Sequence, residues 1–264
     1  MTRGGVAVAL LVMLLGVSAC GAALRPLPMP GAPAPEAAPA VRTALAPCAS
    51  LTSVTAEVAV RGRIDGHRLR GRVLLGADAP DALYLEAPAP FGAPFVQLWA
   101  RNGAAQIYFP RLHRVVPQST PAEALEALTG LPLDAQLLRR LLLGCPPESV
   151  DASTVATGAT GRWLVVPGTP ALYLRGGQGA APWQLVAMMQ EGPRGWRVDY
   201  DDRGSGRPSV VRVSSETRRG DLTLTLSQVE TNVQLPDAAF RSQWPADAEV
   251  VSIDAVPDLT GVGR

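Results

Sequence analysis

The stretch Val54-Thr55-Ala56-Glu57-Val58-Ala59-Val60-Arg61 decides the fold class. Apolar and more polar side chains alternate with period two, which places one set on each face of an extended strand. Asp65-Gly66 follows, a dipeptide suited to a two-residue hairpin, and Arg68 to Leu75 runs back. Working outward, Asp81 to Glu86, Phe95 to Ala100 and Gln106 to Phe109 repeat the theme, with Asn102-Gly103 as a second hairpin turn. Beyond the middle of the chain come Arg162 to Val166, Trp183 to Met189, Trp196 to Tyr200, Ser209 to Ser215 and Asp221 to Val229. These runs are short, separated by turn residues and free of βαβ periodicity. The expected fold is mainly β: a curved antiparallel sheet forming an open half-barrel, in preference to a parallel α/β core.

One interruption is helical. Thr120-Pro121-Ala122-Glu123 supplies an N-cap, a proline at the first helical position and a capping glutamate, and Gly130 stands at the far end. Asp134 caps a second short helix in which Leu137, Leu138, Leu141 and Leu142 recur at helical spacing before Gly144. Arg139 and Arg140 fall near the negative end of its dipole. Two such helices inside an antiparallel sheet must bury their leucines on a sheet face or across a barrel mouth. They are expected to form a lid over an apolar cavity.

Composition narrows the chemistry. The chain has 264 residues, with 24 basic against 23 acidic side chains and a formal charge of +1. Nucleic-acid binding, which calls for a strongly basic face, is not expected. Every basic residue is arginine, which excludes a P-loop lysine, a Schiff-base lysine and a lysine general base. The 47% hydrophobic content supports a sizeable core, while 25 prolines and 26 glycines imply extensive turn and linker.

The N-terminus reads as an address. Arg3 gives a positive end, Val6 to Val17 is apolar, and Val17-Ser18-Ala19-Cys20 resembles a bacterial lipobox. The resemblance implies cleavage before Cys20 and acylation of that residue, so residues 1–19 are expected to be a lipoprotein signal peptide; an uncleaved signal anchor is the competing reading. Gly21, in place of aspartate, resembles an outer-membrane address. From Gly21 to Pro47 alanine and proline dominate without hydrophobic periodicity, so residues 20–47 are expected to be a lipidated tether with polyproline II character. A proline-recognising partner is the other use of such a stretch. The folded body is expected over 48–253, with a disordered tail over 254–264.

Pro90-Phe91-Gly92 after a strand, then ALEALTGLPLDAQLLRRLLLG over 124–144, then Trp196-Arg197-Val198-Asp199-Tyr200 before two final strands, resembles the LolB family. The resemblance runs in order through roughly residues 50 to 230. LolB is an outer-membrane lipoprotein receptor, and it and the related carrier LolA share a curved, unclosed sheet whose helices cap a cavity for acyl chains. Leu235-Pro236-Asp237 and Phe240 before Pro245 look more like the ending of LolA-type proteins, which implies a divergent member. The implied partners are membrane lipids, through the N-terminal acyl chains, acylated lipoproteins as cargo, and a periplasmic LolA-like carrier. The implied location is the outer membrane, facing the periplasm.

A concave apolar face too wide to be filled by its own side chains suits an aliphatic ligand. The candidate lining is Phe95, Trp99, Tyr108, Trp163, Trp183 and Met188, with Leu125, Leu128, Leu138 and Leu142 from the lid. Ordinary core packing is the alternative for each of them. Pro88-Ala89-Pro90-Phe91-Gly92-Ala93-Pro94 is a stiff turn that cannot join a ladder. Phe91 matches the LolB position of an exposed leucine implicated in passing cargo into the bilayer; folding back onto the sheet rim is its other reading.

With Cys20 lipidated, Cys48 and Cys145 remain, an even pair that suggests a disulfide in an extracytoplasmic protein. A metal site is the weaker alternative, since only His67 and His113 could join and neither has ligand-like spacing. No cofactor is expected. Gly204-Ser205-Gly206 lacks the nucleophile-elbow pattern, and Asp199, Asp201 and Asp202 read as a solvated turn in preference to paired catalytic carboxylates. The chain is thus expected to be a non-catalytic envelope lipoprotein that binds acyl chains and assists lipoprotein localisation. A structural or protein-interaction lipoprotein using the same fold is the alternative.

Overall fold

The computed structural model describes residues 24–147, 149–159, 162–176, 182–201, 206–215 and 220–256. The chain enters through a short strand β1 (Pro30–Pro33) and a helix α1 (Ala38–Leu45). It then forms six strands in succession: β2 (Ser53–Ile64), β3 (His67–Asp78), β4 (Ala82–Ala87), β5 (Val96–Arg101), β6 (Ala104–Phe109) and β7 (Arg114–Ser119). Helices α2 (Pro121–Thr129) and α3 (Ala135–Leu142) follow. The chain returns as β8 (Ala156–Gly158), β9 (Trp163–Val166), β10 (Ala171–Arg175), β11 (Gln184–Gln190), β12 (Trp196–Asp201), β13 (Val210–Ser215) and β14 (Gly220–Thr231), and ends with β15 (Glu249–Val250).

Among the described residues, all fifteen strands belong to one curved, unclosed sheet in the order β1-β8-β9-β10-β11-β12-β13-β14-β2-β3-β4-β5-β6-β7-β15. Neighbours are antiparallel except β15, which runs parallel to β7. The chain walks from β2 to one edge at β7 and re-enters at the far edge through β8. It then walks back until β14 lies beside β2. The β7–β8 connection must therefore span the opening, and α2 and α3 occupy it. The half-barrel with a helical lid is the architecture expected. Short strands β1 and β15 blunt its two edges, and the prolines of β1 sit where a missing N–H costs no central ladder bond.

The hairpins follow from their turn chemistry. Asp65 and Gly66 take φ values of 48° and 86°, and Asn102 and Gly103 take 53° and 76°, all in the left-handed region that primed two-residue turns require. In the first hairpin Val58 lies opposite Val73 and Val60 opposite Gly71, all on the inner face; Ala59 opposite Arg72, Arg61 opposite Arg70 and Arg63 opposite Arg68 share the outer one. Gly62, at φ 150°, lets β14 approach: a Cβ there would stand 2.0 Å from the Asp221 carbonyl oxygen.

The expected tether needs correcting. From Pro30 onward the segment is folded onto the body, and within α1 Val41 is fully buried in the main core. Alanine is the best helix former, and Pro39 sits in the first turn, where its missing N–H is harmless. Upstream, Leu27 packs on the outer cluster of Trp163 and Tyr173. At the other terminus, residues 233–248 cover the outer face of β4 and β5, then Val251, Ile253 and Val256 turn to the main core beside α2, where Val256 is fully buried, so the expected disorder does not begin at 254. Residues 1–23, with the lipobox and Cys20, lie outside the described residues, as do 257–264. Among the described residues no helix is long and apolar enough to cross a membrane.

Candidate functional site

Alternation on the strands builds the inner wall. Val58, Val60 and Ile64 of β2, Val73 and Leu75 of β3, Val198 of β12, Val211 and Val213 of β13 and Leu222 and Leu224 of β14 turn to the same side. The lid supplies Leu125, Leu128, Leu131, Leu133, Leu138, Leu141 and Leu142. Between them lies a cavity of about 360 Å³. Valines and leucines reach only part way across a curved sheet, so the space is left open. Thr129 is its one hydroxyl, and that donates to the Leu125 carbonyl at 2.7 Å. Arg70 and Arg72 border the cavity at the rim, where they alternate with Gly71 and Val73 and belong to the outer face. Arg72 is ion-paired there with Glu57 at 3.0 Å. With no directional polar group turned inward among the described residues, the site can recognise aliphatic chains by burial alone.

The lid is held by local and distant contacts. Thr120 Oγ1 accepts from the Glu123 amide at 3.2 Å, and the Glu123 carboxylate accepts from the Thr120 amide at 2.9 Å. Those hydrogen bonds hold the Glu123 carboxyl below its ordinary range, the backbone one first. Gly130 closes α2 at φ 71°, and Asp134 accepts from the Leu137 amide at 2.7 Å. Arg194, in the turn after β11, pairs with Glu126 of α2 at 2.6 Å. On α3, Arg139 is buried and donates to the Thr52 carbonyl at 3.1 Å, while its Nε is buried without a hydrogen-bond partner. Burial lowers the basicity of its guanidinium and Arg140 adds to this, with Asp78 opposing. Cys48 and Cys145 are joined in a disulfide, which ties the segment after α1 to the end of the lid.

Five expected lining residues meet at the cavity: Phe95, Leu125, Leu128, Leu138 and Leu142. The other five do not. Trp99 and Tyr108 point outward and pack with Val115 and Ala248 under the C-terminal segment. Trp163 lies on the outer face with Tyr173, its ring 5.6 Å from the Arg175 guanidinium carbon. Met188 is fully buried on the inner side, away from the cavity, and Trp183 packs against the same core. Period two assigns alternate residues to opposite faces but does not say which face is inside. Bulky aromatics suggested the wall; the structure places most of them outside, under the two chain termini. The signal for the wall was the small β-branched set, beginning with Val58 and Val60 in the opening stretch.

The loop between β4 and β5 projects from the cavity rim. Phe91 is 91% exposed, flanked by exposed Pro90 and Gly92, so its ring is not folded onto the sheet. Phe95, 48% exposed, both lines the cavity and receives the Arg111 guanidinium 4.8 Å from its ring centre. The acidic cluster also differs from expectation. Asp199 is buried in β12 and forked by Arg197 at 2.5 and 2.6 Å, and Asp201 pairs with Arg25 and Arg212. These are neutralised carboxylates on the outer face, not a solvated turn; Asp202, Gly204 and Ser205 lie outside the described residues. His113 pairs with Asp247 at 3.4 Å, and among the described residues no three metal-ligating side chains converge.

No family model and no curated protein matches the sequence. Solved structures do. The chain is similar to an outer-membrane lipoprotein-sorting protein domain from Vibrio parahaemolyticus, with 10% identity and a TM-score of 0.47 over 78% of this chain and 97% of that one. It is also similar to a DUF1329 family protein from Desulfovibrio piger, with 11% identity and a TM-score of 0.46 over 80% and 98%. A LolA superfamily protein from Nitrosomonas europaea gives 11% identity and a TM-score of 0.40 over 73% and 91%.

Proposed function

We propose that the protein is a lipid-anchored envelope lipoprotein that shelters acyl chains in its inner cavity and helps deliver acylated lipoproteins to the outer membrane. The observation that carries this reading is the cavity of about 360 Å³ walled mostly by valines and leucines, open at a rim from which Phe91 projects. Acylation at Cys20 is the anchor in this scheme, supported by the run Val17-Ser18-Ala19-Cys20 after an apolar stretch. Cargo chains leave water for the cavity by non-directional burial. They then pass along Phe95, whose ring bridges wall and solvent, toward the Phe91 loop and the bilayer. A periplasmic LolA-like carrier fits as the donor, and catalysis has no part in the scheme.

Native mass spectrometry of the protein taken gently from its own membrane tests the reading. Adducts of diacyl mass, or a co-purifying acylated lipoprotein, are expected. A ligand-free protein that also fails to take up a fluorescent fatty acid would overturn it and favour the interaction-module alternative.

A further inference from the structure

The outer face of the β2–β3 hairpin carries a feature that acyl binding does not use. Arg61 lies directly opposite Arg70, and Arg63 directly opposite Arg68; all four are exposed. Like charges facing one another across an antiparallel pair, with Cβ atoms about 5 Å apart, destabilise a sheet. Arg72, one step along the same face, shows the ordinary remedy in its ion pair with Glu57. Among the described residues, no carboxylate lies within ion-pairing distance of any of the other four. Asp221, beside Arg63 in the register of β14, makes no such pair either.

The placement of this patch is informative. Arg70 borders the cavity rim, and the hairpin turn at Asp65-Gly66 points the same way as the Phe91 loop, because β4 continues antiparallel from β3 and ends beside Val96. The outer face is also where the chain enters: Arg25 pairs with Asp201 at 3.0 Å. Asp201 and Arg72 lie on one outer-face row through Val210, Thr225 and Ala59. Four strand spacings separate them, about 19 Å along the sheet. From Arg25 back to Cys20 is five residues, at most about 18 Å of chain.

We infer that Arg61, Arg63, Arg68 and Arg70 form a docking surface for anionic phospholipid headgroups, on which the hairpin lies against the bilayer while the neighbouring rim opens toward it. Phosphates supply the missing counter-charge, and guanidinium forks match their geometry. The orientation rests in part on the proposed anchor at Cys20; the headgroup surface itself does not.

The test uses the mature chain without its acyl groups, Cys20→Ser, which keeps every described residue. Flotation is measured with phosphatidylcholine vesicles and with the same vesicles containing phosphatidylglycerol. Binding is expected to the anionic vesicles only, to vanish at high salt, and to weaken by about 100-fold or more in the fourfold variant Arg61→Gln, Arg63→Gln, Arg68→Gln, Arg70→Gln. That variant should melt no lower than its parent, because it removes facing like charges, and the threefold variant Arg61→Gln, Arg63→Gln, Arg68→Gln, which keeps the rim residue Arg70, should take up a fluorescent fatty acid normally. Equal binding to neutral vesicles, or unchanged binding by the fourfold variant, overturns the inference. Normal fatty-acid uptake without flotation sinks this inference alone. Flotation without uptake sinks the proposed cavity function and leaves the headgroup surface standing.

Discussion

The inner and outer faces of the sheet are built from the same strands and have opposite contents. Inside, mostly aliphatic side chains, with Trp196 and Phe95, leave a cavity; outside, Trp99, Tyr108 and Trp163 are packed under chain termini and arginines meet solvent. Bulk is what fills space: Phe109, Trp183 and Tyr200 fill the inner core away from the cavity, Phe95 and Trp196 reach its wall, and the remaining lining is aliphatic apart from the rim. Changes to the inner face should alter ligand uptake, and changes to the outer face should alter stability.

The largest expected effect breaks the covalent link between the segment after α1 and the end of the lid. Cys48→Ser opens a loop of 97 residues, which chain entropy values at up to about 4 to 5 kcal/mol less any strain. Its melting temperature under oxidising conditions should fall to that of the reduced parent. Unchanged melting would mean that the disulfide adds nothing to the lid's hold. Next comes the outer face: Trp99→Ala, at a position 5% exposed, should cost about 3 to 5 kcal/mol in denaturant unfolding. Fatty-acid uptake by the protein that remains folded should not change, and a loss would place Trp99 in the pathway.

Smaller stability effects sharpen the contrast at the rim. Phe91→Glu should change stability by less than about 0.5 kcal/mol, because the ring touches little. It should block transfer of a fluorescent lipoprotein into liposomes, since a carboxylate at the interface resists insertion. Normal transfer would remove Phe91 from the hand-over. The smallest effect concerns the α2 cap. Glu123 is held below its ordinary range when folded, so its contribution is present above the unfolded carboxylate range and is lost as pH falls through the lowered folded value. Amide exchange in the first turn of α2 should therefore differ between the parent and Glu123→Gln at neutral pH and converge in acid. A difference that persists in acid would assign the cap to something other than the Glu123 carboxylate.

Local signals made most of the fold legible. The alternation over 54–61, the Asp65-Gly66 and Asn102-Gly103 turns, and the caps at Thr120 and Asp134 depend only on neighbouring residues, and the structure places each as read. What depends on distant partners was not legible. Pro30–Pro33 becomes a strand only because β8 offers an edge, and α1 is stable only because Val41 finds the core. Lid leucines were identified because helices put apolar residues on one side. Wall residues were partly missed because strand alternation leaves inside and outside equivalent until the covering segments are known.

The central claim is that the inner face is hollow in order to hold an acyl chain, and Gly71 offers the most direct test. It lines the cavity opposite Val60, and a Cβ added there meets nothing within 4 Å. Titration of a fluorescent fatty acid into the parent and into Gly71→Phe should show uptake by the first and at least tenfold weaker uptake by the second, the equivalent of about 1.4 kcal/mol, with the melting temperature maintained. Equal uptake by both proteins would contradict the account.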